Sequence, residues 1–167
     1  RFMMKVLVGY PTETEEFVIV ERVTGAAVEV GAVATTDELA ALQRECRRGY
    51  VDPALMQFAV RLVGATRNPE KYGIKDTARY LTYGASPRAT IHLIEGARAL
   101  AFLRGRSYAL PEDVADIAPD VIRHRLSLSY EALADGLSAD QLIARIMQHV
   151  PLPAKPLETH VRAGTHA

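Results

Sequence analysis

The stretch SPRATIHL, Ser86 to Leu93, sets an arginine in the first turn of a helix, where its natural chemistry is to hold an anion. Ser86 is a capping residue and Pro87 suits the first helical position, which puts Arg88 at the second. Free N–H groups and the macrodipole make that turn positive, so a cation there is unfavourable by roughly 0.3 to 1 kcal/mol. The same turn is a ready anion site. An arginine fork beside it adds charge-assisted, bidentate bonds to phosphate oxygens or to a carboxylate. The residues leave two readings open: Arg88 senses a phosphate, or it bonds an acidic side chain or reaches water.

No second chemistry competes with it. The chain has no G-x-x-x-x-G-K-[ST], no G-x-G-x-x-G and no strand-ending acidic pair for magnesium, so as given it cannot hydrolyse a nucleotide by itself. No nucleophile elbow or triad environment surrounds its Ser, His and Asp residues. Five dispersed His and the single Cys46 give no zinc spacing, and no metal site is expected. Two small basic clusters, RRGY at 47–50 and RHRL at 123–126, read better as cations complementing helix C-termini than as a nucleic-acid surface. Twenty Lys and Arg balance twenty Asp and Glu, so the global field that draws proteins onto nucleic acid or anionic lipid is missing. Tyr72, Tyr80 and Tyr83 can stack on a base or pack the interior, and packing is the better reading. His92, inside the helix, reads as a hydrogen-bonded core residue.

The elements that must position Arg88 are helical. With 167 residues and 49% hydrophobic content, the chain can bury a core. Thr12 caps a helix with Glu13, Glu15 and Glu16 in its first turn and Gly25 beyond its end. A second helix takes Thr36 as cap, Leu39 and Leu42 on one face, and Gly49 as stop. A third has Asp52 as cap, Pro53 at its first position, and Leu55, Phe58, Ala59 and Leu62 spaced for a core stripe. A loop from about 68 to 84 is long enough to be functional. The central helix runs from Ser86 to Gly105, is apolar over most of its circumference, and should be buried. Pro111 opens a helix that Pro119 must break or kink. The last helix spans 138–150. The sum is an all-α bundle of about six helices. Residues 151–167 hold three prolines in six residues and are expected to be a disordered tail.

MMKVLVG, Met3 to Gly9, reads as a short strand closed by a turn. A lone strand is not a sheet. Either a weak segment around 26–30 pairs with it or it is the remnant of a domain lying upstream, and the remnant is the reading we favour. Arg1, where a natural chain has Met, fits a piece of a longer protein. The apolar run after it is too short for a signal peptide, no stretch is long enough to span a membrane, and the lone cysteine fits a reducing compartment. A cytoplasmic protein is the expectation.

YLTYGASPRATIHLIEGARALAFLRGRSYALPEDVADIAPDVIRHRL resembles the C-terminal helical lid of MoxR-family AAA+ ATPases, with magnesium-chelatase subunits as the nearest confusable relatives. The similarity extends back through VDPALMQFAVRLVGATRNP and RFMMKVLVGYP and forward to VPLP. GASPRA, ALAFLRGR, PEDV and RHRL in this order carry it. The resemblance implies a lid over residues 11–150, a remnant strand of the core at 1–10, and an upstream α/β core bearing Walker A and Walker B. It makes Arg88 the sensor 2 arginine, reaching the γ-phosphate of ATP from the lid. Ala85, Ser86 and Pro87 would form part of the adenine wall, and Arg1 would be an arginine finger acting in trans. It implies ATP and Mg²⁺ in the full-length parent and none in this piece, a homohexameric ring built with the parent's own AAA+ core, and chaperone-like remodelling of client complexes with von Willebrand A partners. Leu110 departs from the family pattern, standing where a Ser or Thr cap is usual, so the helix beyond it must lean on Glu112 and Asp113. The alternative from another class is a freestanding helical module that binds protein or nucleic acid and has no ATPase activity.

Overall fold

A computed structural model describes residues 2–27 and 29–153. It is an all-α bundle with one small sheet. The capping signals place the helix starts. Helix α1 (Glu13–Thr24) opens on a reciprocal box in which Thr12 Oγ1 accepts from the Glu15 N–H and Glu15 accepts from the Thr12 N–H. Helix α2 (Thr36–Arg48) is capped by Thr35, not by Thr36. The glutamate selects between the two threonines, because only Thr35 stands three residues before Glu38 and can exchange both bonds with it, at 2.7 and 3.2 Å. Neither helix buries a residue among those described, and Leu39 and Leu42 stay about half exposed.

The core lies between four helices. Helix α3 (Pro53–Arg67) starts on Asp52, whose Oδ1 accepts from the Ala54 N–H, and buries Leu55, Phe58, Ala59 and Leu62 as their spacing requires, together with Val63, Ala65 and Thr66. The next full helix follows three short elements: a 3₁₀ turn at Pro69–Tyr72, the single turn α4 (Lys75–Ala78), and the strand β1 (Leu81–Tyr83). The expected long loop is therefore largely structured. Helix α5 (Pro87–Leu103) runs through the bundle, and Gly105, at φ 72°, turns the chain after it. It buries one stripe, Ala89, Leu93, Gly96, Ala97 and Ala101, and leaves Ile91 and Leu103 exposed, so it is less enclosed than its composition suggests.

Helix α6 (Pro111–Ile122) packs along α5 and is not broken at Pro119, which lies within it. A proline inside a helix costs about 3 kcal/mol. Val121 and Ile122, the two residues that would be lost beyond it, are fully buried, and each such burial stabilises by about 1.5 to 3 kcal/mol. The two together outweigh the proline. A 3₁₀ turn at Arg123–Arg125 leads to strand β2 (Ser127–Leu128), which pairs antiparallel with β1, Leu81 opposite Leu128 and Tyr83 opposite Ser127. Helix α7 (Tyr130–Ala134) and helix α8 (Ala139–His149) complete the bundle, α8 capped by Ser138 in a box with Gln141.

The strand expected at Met3–Gly9 does not form, and 26–30 offers it no partner among the described residues. A strand needs a neighbouring edge for its ladder. Here Lys5 N–H donates to Asp120 O at 2.8 Å, while Val6, Leu7 and Val8 remain exposed. The expected tail at 151–167 lies outside the described residues from 154 onward.

Candidate functional site

The GASPR turn is fixed from behind before it presents anything forward. Tyr80, buried as its packing reading requires, donates its hydroxyl proton to Asp135 Oδ2 at 2.9 Å. Its ring packs with Ala132 and Leu142 and lies 4.6 Å below the Arg79 guanidinium carbon. Strand β1 then delivers Gly84 against α3, so close that a Cβ there would lie 2.3 Å from the Thr66 carbonyl oxygen. Only glycine fits that approach. The next residue, Ala85, is fully buried and donates its N–H to Thr66 Oγ1 at 2.9 Å, while the Thr66 hydroxyl donates to Val63 O.

Thr66 is thus the bracket of the turn. Thr66→Val keeps the side-chain shape and removes the acceptor, leaving a buried N–H unpaired at a cost of about 1 to 3 kcal/mol. Urea unfolding of the chain reads that loss directly. An unchanged midpoint would mean that the hydroxyl does not hold the turn.

Ser86 occupies the cap position of α5 in extended backbone, φ −74° and ψ 167°, but its hydroxyl makes no capping bond. Its carbonyl accepts from the Ala89 N–H instead, at 2.9 Å. No acidic residue stands in the first turn. Ser86, Pro87 and Arg88 are all exposed. Among the described residues Arg88 makes no hydrogen bond and no ion pair, which removes the reading in which an acidic side chain holds it. Arg104, Arg106, Arg123 and Arg125 are all bonded to protein. An exposed, unpaired fork beside a helix N-terminus without a side-chain cap offers its donors to an anion or to water.

Behind Arg88 stands a second arginine. Arg125 Nη2 donates to His92 Nδ1 at 2.7 Å, and His92 lies one helical turn beyond Arg88 on α5. Because an arginine only donates, Nδ1 carries the lone pair and the ring is neutral. Burial, and then the Arg125 charge, lower the His92 pKa from its usual value, against the opposing pull of Glu95 and the Met3 backbone. Burial first, and the charge of Arg88 second, push Arg125 down as well. His92 is therefore not a sealed core residue but a half-buried acceptor.

The RHRL cluster does more than cap a helix. Arg125 Nε does bond a helix C-terminal carbonyl, Val121 O, at 2.8 Å. Its Nη2 also donates to Phe2 O at 2.5 Å and Met3 O at 3.3 Å. Arg123 donates to Lys5 O at 2.6 Å, to Asp140 at 2.8 Å and to Asp120. His124 Nε2 lies 3.3 Å from Phe2 O. The contacts to Phe2, Met3 and Lys5 span more than a hundred residues of sequence, so composition and spacing carry no signal for them. Arg1 itself lies outside the described residues.

The comparisons with known proteins bear on this same segment. A family described as "AAA lid domain" matches residues 74–146, which includes β1, GASPR, α5, α6 and the RHR turn. The chain is 42% identical to Chaperone MoxR1 of Mycobacterium tuberculosis over 163 residues, 96% of this chain and 43% of that protein. It is 33% identical to Protein MoxR of Paracoccus denitrificans over 168 residues, 92% of this chain and 49% of that one. The chain belongs to the MoxR family of AAA+ proteins, as its helical lid. A crystal structure from Cytophaga hutchinsonii, described as a candidate ATPase, superposes on the lid with a TM-score of 0.88 at 35% identity, covering 92% of this chain and 47% of that one. The lid thus spans less than half the length of these relatives. Among the described residues, no helix is long and apolar enough to cross a membrane.

Proposed function

We propose that the chain is the nucleotide-sensing lid of an ATP-hydrolysing parent protein, and that Arg88 is its sensor 2 arginine. The observation that carries the reading is an exposed arginine without a partner among the described residues, at the N-terminus of α5, inside the segment matched as a AAA lid. In the parent, Arg88 binds the γ-phosphate of ATP and neutralises charge on its oxygens as the phosphoryl group leaves, while its loss on phosphate release lets the lid move. Ser86 and Pro87 form part of the wall around the adenine, while Ala85, fully buried and bonded to Thr66, holds that wall against α3 and does not line it. The bound nucleotide and its Mg²⁺ would supply the phosphoryl chemistry. Among the described residues no cluster of His, Cys, Asp or Glu is placed to hold a metal, so the Mg²⁺ ligands are assigned to the upstream core.

The same reading gives Arg1 as a finger toward a neighbouring subunit and a homohexameric ring as the assembly. It gives chaperone-like maturation of client complexes as the work, with von Willebrand A proteins as partners in the cytoplasm. The freestanding interaction module loses ground to similarity that runs across more than nine-tenths of the chain.

The test begins with the reading frame upstream of Arg1, which must encode a Walker A lysine within about one domain length. Its absence would overturn the ATPase reading. Calorimetry on the 167-residue chain should find weak or no MgATP binding, because the chain carries no phosphate loop. Tight binding would mean that the nucleotide site is complete within the lid, and the assignment of the phosphate cradle to an upstream core would fall.

A further inference from the structure

We propose that Arg125 is a positioning residue for Arg88, locking the start of α5 to the leading segment at Phe2–Met3 through His92. The inference rests on the sensor reading of Arg88. One guanidinium joins three parts of the chain: Nε holds the end of α6 at Val121 O, and Nη2 reaches both the Phe2 and Met3 carbonyls and His92 on α5. In a helix, side chains lean toward the N-terminus and residues four apart share a face, so His92 stands directly behind Arg88.

The rest of the turn aims the same way. Arg123 holds Lys5 O and His124 approaches Phe2 O, so all three residues of Arg123–Arg125 face the backbone of the leading segment. Every acceptor they use there is a main-chain carbonyl. Such a grip reads the position of a segment and is indifferent to its side chains. The segment is otherwise held by the Lys5 N–H to Asp120 O, by Met4 against the core and by the Met3 side chain beside Gly96 of α5, while Val6 to Tyr10 are exposed.

An arginine that must meet phosphate oxygens at about 3 Å is sensitive to its mounting, and a displacement of about 1 Å in a reacting geometry costs on the order of 100-fold. The Arg125 and His92 pair supplies that mounting. It sets where Arg88 stands relative to the leading segment.

The test uses the intact parent and reads kcat, KM for ATP and thermal midpoint for each variant. Arg125→Ala should lower kcat about 10- to 100-fold. His92→Leu should lower it about 10-fold, while His92→Asn, whose Oδ1 can replace Nδ1 as acceptor, should restore most of it. Combined with Arg88→Ala, neither Arg125→Ala nor His92→Leu should lower kcat further, because each acts through Arg88. Losses that multiply would overturn the positioning role, as would wild-type kcat in Arg125→Ala and His92→Leu when Arg88→Ala has lost turnover. If Arg125→Ala fails to fold, the His92→Leu and His92→Asn pair decides. Wild-type turnover in Arg88→Ala alone would refute the sensor reading, a different failure from that of the clamp.

Discussion

If Arg88 is the sensor, Arg88→Ala in the intact parent should lower ATP turnover by two or more orders of magnitude, the rough scale of losing a charge that stabilises a transferring phosphoryl group. It leaves the fold intact. Arg88 is exposed and has no bond among the described residues to lose, and exposed substitutions of that kind stay within about 0.5 kcal/mol. Removing a cation from the first turn of α5 even relieves about 0.3 to 1 kcal/mol of opposition to the helix dipole. A thermal midpoint that holds or rises slightly while phosphate release collapses is therefore the expected pair of results. Few structural roles produce that combination. Arg88→Lys should recover only part of the turnover, because a point charge cannot offer the planar two-pronged donor of a guanidinium. Wild-type phosphate release in Arg88→Ala would remove the sensor assignment.

Much of this frame is local chemistry, and local chemistry is legible in sequence. Asp52 with Pro53, and Thr12 with the glutamates of its first turn, each mark a helix start that the structure keeps. Arg88 stands out because a cation in a first turn contradicts a general rule, and a contradiction is visible without a partner. Thr35 shows how fine the local signal is: the capping residue was decided by which threonine stood three before a glutamate. Tertiary packing decides the rest. Pro119 is tolerated because Val121 and Ile122 are buried beyond it, and Met3–Gly9 fails to form a strand because no edge stands beside it. The bracket from Thr66 to Ala85 crosses 19 residues, and the grip of Arg125 on Phe2 crosses 123. No periodicity encodes such pairs, so the support behind Arg88 had to be seen in three dimensions.

At the other end of α5, Asp113 should give the largest single loss of stability. Its carboxylate is fully buried and accepts four hydrogen bonds: two from Arg106 at 2.6 and 2.8 Å, one from Arg104 at 2.8 Å, and one from the Leu110 N–H at 2.8 Å. The last of these is the returning half of a capping box, from the third helical position to the N–H of the cap residue; the half that a Ser or Thr side chain would supply is missing at Leu110, whose carbonyl accepts from the Asp113 N–H at 3.0 Å instead. Asp113→Ala leaves the Leu110 N–H unpaired and two guanidinium groups without their shared anion, a loss of about 3 to 5 kcal/mol for a broken buried pair. The lower end is expected, because the Arg104 side chain is 42% exposed and can turn to water or to Asp116. The pH dependence has a definite sign. Burial works to raise the Asp113 pKa, but Arg106, the Leu110 amide and Arg104 together outweigh it and hold the carboxyl below its usual range. A group with a depressed folded pKa contributes its full stability above the unfolded value, about 3.9, and loses that contribution as pH falls through the folded pKa. The gap in urea midpoint between wild type and Asp113→Asn should therefore be wide at pH 7 and narrow well below pH 4. A gap of equal width at both would mean that charge is not what Asp113 contributes. Because Arg104 caps the end of α5, Arg106 lies in the turn that follows and Asp113 stands in the first turn of α6, this network fixes the far end of the helix whose near end carries Arg88, and its loss should loosen both.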